Sequence, residues 1–314
     1  MFFKRNKNNE IGVYGLLNNI PERVNWCNDY LEKEDGILNL GVTEKNEAVK
    51  VDLNETPHIL IAGGEGVGKS VAFACMIWQL KNQGAEVNII GLTYASSVEL
   101  TNFEKFTNIV RDIDSADKLL QAIAYEHTRR INLLRKERVK NINEYNNKIC
   151  ESNKLPRIII VIDEINALLY KENLSTDDIE KVNRIECNLN TLARLARPTG
   201  INILSATQRP EIGILSKQLI NNIPVRICGR YMGSVVSELV LGNEMARKIK
   251  HMQGRFIVKI GNEFRETQLY CFNKEEYLFI GQEPTLEIDF ETNINNPLPG
   301  TLGEGKNFVV KGCD

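Results

Sequence analysis

The sequence predicts an α/β fold, a mostly parallel sheet with helices on both faces, and three observations predict it. Short apolar runs recur at 58–62, 86–92, 157–162, 202–206 and 226–229, each the length of a buried strand. Between them lie stretches with apolar residues at helical spacing, at 70–82, 115–138 and 177–197. A glycine-rich turn joins the first of these strands directly to the first of these helices.

Taken in order, residues 1–35 are polar and mixed, with a helix expected over 21–34. Residues 37–42 and 48–53 read as two short strands around a polar turn, 43–47, a β addition in front of the main sheet. The helix at 70–82 carries Val71, Ala74, Cys75 and Trp78 on one face and stops at Gly84, as a C-cap would. The long helix at 115–138 gathers Leu120, Ile123, Ala124, Ile131 and Leu134 on its apolar side, with Arg129, Lys136 and Glu137 elsewhere. After about residue 279 periodicity fades into Asn-Asn-Pro, Pro-Gly and Gly-Glu-Gly. The division is therefore a polar segment over 1–35, a main domain over 36–280 and a flexible tail over 281–314.

Composition narrows the function. At 314 residues with 42% hydrophobic and 25% charged side chains, the chain has the make-up of a globular protein. A net charge of −2 argues against a uniformly basic nucleic-acid binder, so any contact with DNA has to be local. Seven scattered cysteines without a Cys-x-x-Cys pair suit reduced thiols, and three histidines give no pattern for a metal cluster. No run approaches the ~20 apolar residues of a membrane helix, so a cytoplasmic location is expected.

Two motifs carry chemistry. Gly63, Gly64, Glu65, Gly66, Val67, Gly68, Lys69 and Ser70 spell a complete G-x-x-x-x-G-K-S between a strand and a helix. Such a loop cradles phosphates with backbone N–H groups, aided by the positive end of the helix that follows. Lys69 would neutralise β- and γ-phosphate charge, and Ser70 would ligate Mg²⁺. The run at 158–162 then drops into Asp163 and Glu164. Asp163 would hold Mg²⁺ through water, and Glu164 would polarise the attacking water. ATP and Mg²⁺ are thus the expected cofactors. Gln208, at the end of the next strand, would sense the γ-phosphate.

With these residues in view, the chain resembles the FtsK/SpoIIIE motor ATPases. Residues 57–63 are similar to the family's "PHLLVAG", and Gly68, Lys69, Ser70 and Val71 to its "GKSV". Arg129 and Arg130 with 138–146 resemble "ERR" and "VRNIxxYN"; 161–164 match "VIDE", 206–210 "ATQRP", and 222–227 come close to "NIPTRI". The resemblance runs from about 37 to 260 in family order. It departs at 91–94, where the family's "DPK" is missing, and at Arg255, which stands where the family has an acidic residue.

The resemblance implies a RecA-like P-loop NTPase domain that forms a homo-hexameric ring and moves DNA gripped by pore loops. It also implies sites completed by an arginine from the neighbouring subunit, with Arg197 favoured, then Arg194, Arg209 and Arg226. The absence of preceding membrane segments and of a following winged helix resembles members from plasmids, conjugative elements and phages. Partners at the inner face of the membrane or in a relaxosome are then expected. A protein-secretion motor of the same superfamily and an ATP-switched assembly scaffold remain as alternatives; the ATPase rate with and without DNA separates them.

Overall fold

The computed structural model describes residues 20–92, 103–104, 106–208, 210, 214–231 and 234–272. Among these residues ten strands form one sheet in the order β2-β1-β10-β9-β8-β3-β7-β6-β4-β5. The strands are β1 (Ile37–Val42), β2 (Ala48–Asp52), β3 (Ile59–Ala62), β4 (Glu86–Ile90), β5 (Asn108–Val110), β6 (Ile158–Ile162), β7 (Ile201–Thr207), β8 (Val225–Gly229), β9 (Arg255–Ile260) and β10 (Glu263–Leu269). Six of them, β8-β3-β7-β6-β4-β5, run parallel. The other four continue the sheet antiparallel from β8, through the β9–β10 hairpin to β1 and β2.

The apolar runs are strands because both of their faces are covered. Every residue of β3, β6 and β7 is buried, so none shows the alternation of a sheet wetted on one side. Successive side chains still point to opposite faces. Ile59 and Ile61 join the core around helix α1 (Lys69–Asn82), with Phe73 and Ile77. Leu60 and Ala62 join a second core, with Leu119, Leu120 and Ile123 of α2 (Ile113–Glu137). Among the described residues, helices α3 (Ile142–Lys148), α4 (Ile165–Leu169), α5 (Thr176–Leu195), α6 (Lys217–Asn221), α7 (Ser234–Leu241) and α8 (Met245–Lys248) follow.

Caps set the helix ends. Asp112 accepts the Ser115 N–H to start α2, and Arg138 in the left-handed region at φ 56° ends it. Ser175 caps α5 in the same way by accepting from Asp178 N–H, and Pro198 lies in the 3-10 turn that follows the helix. Helix α1 is tied to the antiparallel wing by its own side chains. Gln79, fully buried, accepts from Asn39 N–H at 2.9 Å and donates to Asn39 O at 3.0 Å, completing the strand edge as another backbone would.

Two readings need correction, and one residue lies where no pattern placed it. The helix expected over 21–34 is a single 3-10 turn, Asn28–Tyr30, in an otherwise extended chain. Tertiary pairing wins there: Trp26 N–H donates to Cys271 O and Cys271 N–H to Val24 O. Trp26, 3% exposed, also packs edge-on against Tyr270 and Trp78. The strand read as 86–92 ends at Ile90. Arg130 lies on the buried face of α2 at 2% exposure, donating to the Pro156 and Thr199 carbonyls and to Glu126. The expected tail over 281–314 lies outside the described residues.

Candidate active site

The parallel strands all end at one edge of the sheet, where an open α/β sheet binds its ligands. The phosphate loop leaves β3 and runs into α1. Gly66 and Gly68 take φ values of 72° and 104°, which only glycine adopts without strain. Gly63 has a different reason: a Cβ there would come within 2.5 Å of Val67 Cγ2. Gly64 meets nothing within 4 Å, and Glu65 is exposed. Lys69 curls back over the loop, its ammonium donating to Gly63 O at 2.7 Å and Gly64 O at 2.9 Å. Burial pushes its pKa down, against the opposing pull of the Glu164, Asp163 and Glu65 carboxylates. An incoming triphosphate would compete for the same ammonium protons and replace the two carbonyls. Ser70 and Val71, half-buried, open the first turn of α1.

Between the loop and the acidic pair stands β7. It pairs with β3 on one side and β6 on the other, and Gly63 N–H donates to Thr207 O. Two strand spacings of ~4.8 Å put the ends of β3 and β6 about 10 Å apart, room for a phosphate and a hydrated cation. Asp163 and Glu164 are half-buried at the end of β6. Glu164 caps α4, with Asn166 N–H directed at Oε1 at 3.4 Å, and its Oε2 accepts from Gln208 N–H at 2.6 Å. Gln208 keeps its side chain exposed, and its carbonyl accepts from Tyr231 Oη at 2.5 Å.

So the structure brings Lys69, Ser70, Asp163, Glu164 and Gln208 to one edge. Among the described residues no group of three or more His, Cys, Asp or Glu side chains is placed to hold a metal ion. A cation would therefore draw on Ser70, Asp163, water and the phosphates, a donor set of hard oxygens that fits Mg²⁺.

Arg197 is not in this cluster. It lies in the turn before β7, and the seven residues of that strand separate it from Gln208, about 20 Å at ~3.3 Å per residue. It is half exposed and bonds Asn54 O and Glu55 at 2.7 Å each. Arg194 is exposed in the last turn of α5. Arg226 spends its guanidinium on the carbonyls of Ile220, Ile223 and Val240. Arg209 lies outside the described residues.

Two contacts were invisible beforehand. Tyr231 gave no signal in the sequence. Gly254, at φ 78°, donates its N–H to Val67 O at 2.9 Å and so braces the phosphate loop from the β9 side. Beside that contact a cavity of about 300 Å³ opens against Gly68 and Val71.

A lysine-bearing phosphate loop, an acidic strand end and a polar strand end between them, on this sheet, define a P-loop ATPase. The FtsK/SpoIIIE family model matches residues 28–212, more than half of the chain, and the chain belongs to that family. The DNA translocase FtsK of Borreliella burgdorferi is 32% identical over 220 residues, 67% of this chain and 27% of the relative. That of Sporosarcina ureae is 29% identical over 227 residues, 68% of this chain and 28% of the relative. The chain thus spans little more than a quarter of the length of these curated relatives. Among solved structures, the pCW3 conjugation coupling protein TcpA, a monomer form with ATPγS, superposes with a TM-score of 0.78 at 39% identity. The match covers 82% of this chain and 72% of that one. EssC (ATPases 2 and 3) of Geobacillus thermodenitrificans reaches 0.67 at 19% identity, covering 83% and 50%, a likeness of fold alone. No described helix is long and apolar enough to cross a membrane.

Proposed function

We propose that this chain is the motor of a DNA translocase of the conjugation-coupling kind, hydrolysing ATP to move DNA through a homo-hexameric ring. The observation that carries the reading is the Glu164–Gln208 pairing beside Lys69, together with 39% identity to a coupling protein. In this reading the loop from Gly63 to Val71 wraps the phosphates, and Lys69 leaves the Gly63 and Gly64 carbonyls to neutralise the β- and γ-phosphates. Ser70, and Asp163 through water, would hold Mg²⁺, which would supply charge neutralisation on the phosphate oxygens. Glu164 accepts a proton from the attacking water. Its tie to the Gln208 backbone couples the presence of the γ-phosphate to the end of β7.

Arg197 belongs to the sheet edge opposite its own loop, so its part is to reach the neighbouring subunit's site and stabilise the transition-state charge there. DNA contacts come from pore loops rather than from Arg129 and Arg130 of α2, since Arg130 is committed to the core and Arg129 is paired with Glu126. Membrane-side or relaxosome partners would bring the ring to the inner face of the membrane.

The test is the steady-state ATPase rate with and without duplex DNA, alongside sedimentation with ATPγS and DNA. DNA should raise the rate and shift the chain towards hexamers. A rate indifferent to DNA, in a chain that stays monomeric with both ligands, would sink the translocase reading and leave the secretion or scaffold alternatives.

A further inference from the structure

The cavity beside Gly68 and Val71 has a wall that does not come from the ATPase sheet. Glu22 and Arg23 line it from the extended segment that precedes β1, facing Gly68, Val71 and the Gln253–Gly254 turn. At about 300 Å³ the space falls at the small end of ligand pockets. The space lies against Gly68 and the first turn of α1, so in the nucleotide reading it is the room open to the rest of a nucleotide whose phosphates the loop would hold. Glu22 offers a carboxylate acceptor, Gln253 and Gln268 lie opposite, and Tyr270 and Cys271 complete the lining.

One buried arginine holds that wall. Arg255 is 6% exposed, and all three nitrogens of its guanidinium are engaged. Nη2 donates to Ile20 O at 3.1 Å and Pro21 O at 2.9 Å, Nη1 to Glu266 Oε1 at 3.1 Å, and Nε to Gln268 Oε1 at 3.1 Å. Gln268 in turn donates to Gln253 O at 2.9 Å, next to the Gly254 N–H that braces Val67. The segment at 20–23 is therefore fixed to the phosphate loop through a continuous chain of hydrogen bonds. Its outward side chains make only surface contacts, Glu22 with Lys250 and Arg23 with Asn25. They are free to exchange these for a ligand.

We infer that residues 20–23 form the outer wall of the subsite for the ribose and base of the bound nucleotide, and that Arg255 is the positioning residue that sets this wall. The inference rests on the nucleotide reading of the loop. A planar fork is needed because four acceptors in different directions must be met at once, which a lysine ammonium does not do.

The test compares ATPγS with tripolyphosphate, which has the phosphates and no nucleoside. Both are titrated with Mg²⁺ into the full chain, into the double variant Glu22→Ala/Arg23→Ala and into Arg255→Lys. Each variant should bind ATPγS about tenfold more weakly, a loss of ~1.4 kcal/mol, while tripolyphosphate affinity stays within about twofold. Tryptophan emission gives an independent reading: Trp26 packs at 5.4 Å on Tyr270, which lines the cavity. ATPγS should change it in the parent, tripolyphosphate should not, and the double variant should lose the response. The double variant removes only exposed side chains, so it stays informative if Arg255→Lys folds poorly. Unchanged ATPγS affinity in the double variant, or equal losses for both ligands, overturns the inference. A parent chain that binds neither ligand sinks the nucleotide reading instead, and the inference with it.

Discussion

Replacing Glu164 by glutamine separates the two things its carboxylate does. Oε2 accepts the Gln208 N–H at 2.6 Å, which anchors the end of β7, and the same group is the proposed base. Glutamine keeps a carbonyl oxygen for the Gln208 N–H but has no basic site. A hydrogen bond to a charged acceptor is worth about 1.5–3 kcal/mol and a neutral one about 0.5–1.5. The anchor therefore weakens by about 1 kcal/mol, less for a half-buried group in contact with solvent. For a domain of this size that is a fall of about 2–4 °C in Tm. Losing the base costs about 10²–10⁴ in rate, or ~2.7–5.4 kcal/mol of barrier. The two effects are thus well apart. Phosphate release at saturating Mg-ATP should drop at least a hundredfold, while calorimetric titration shows ATP bound as tightly as in the parent or tighter, because a negative charge beside the phosphates is gone. Turnover within about threefold of the parent would remove Glu164 as the base. A rate loss accompanied by a Tm drop well beyond ~5 °C would make it an anchor whose removal disorders the site.

Lys69→Ala should abolish ATPγS and tripolyphosphate binding in titration while leaving the circular-dichroism spectrum unchanged; retained binding would mean the loop is not the phosphate site. Arg197→Ala should spare ATP binding by the single chain but cut turnover of the assembly by about 10³-fold. Mixing it with Glu164→Gln chains should restore part of the activity, because a mixed ring can pair an intact base with an intact arginine next door. A mixture that assembles yet stays dead, or an active Arg197→Ala, moves the role to Arg194. His58, fully buried with Nδ1 accepting the Ile203 N–H, is pushed by burial from 6.5 down to about 4. Between those values the unfolded chain binds more protons than the folded one. Stability present at pH 7 is therefore lost as the pH falls, by about 3 kcal/mol in the limit. Urea unfolding at pH 7 and 4.5 should show this, and His58→Gln should lack its share of the drop; an identical drop in both would refute it.

The P-loop ATPase class was legible because it is written in contiguous residues. Gly63 to Ser70 must be adjacent for backbone N–H groups to wrap a phosphate, and Asp163 and Glu164 must end a strand whose five buried residues are all Ile or Val. Local pattern also gave the parallel strands, as short unbroken apolar runs buried on both faces, and the long helices, through their period of 3.6. What the sequence left open were the contacts between distant segments. No local pattern says that an extended chain at 20–27 should pair with Cys271 rather than coil into a helix. None says that Arg130 should turn inward to two carbonyls from separate loops, or that Arg197 should sit a full strand length from Gln208. The β9–β10 hairpin, with Gly254 against Val67 and Arg255 gripping the segment before β1, was missed for the same reason. Its partners are up to 235 positions away, and burial satisfied by so distant a carbonyl leaves no periodic trace in the chain. The sequence by itself determined which residues could handle a nucleotide. The tertiary structure decided how they are braced and what lines the space beside the phosphate loop, because hydrogen bonds between remote segments form only once the sheet has brought them together.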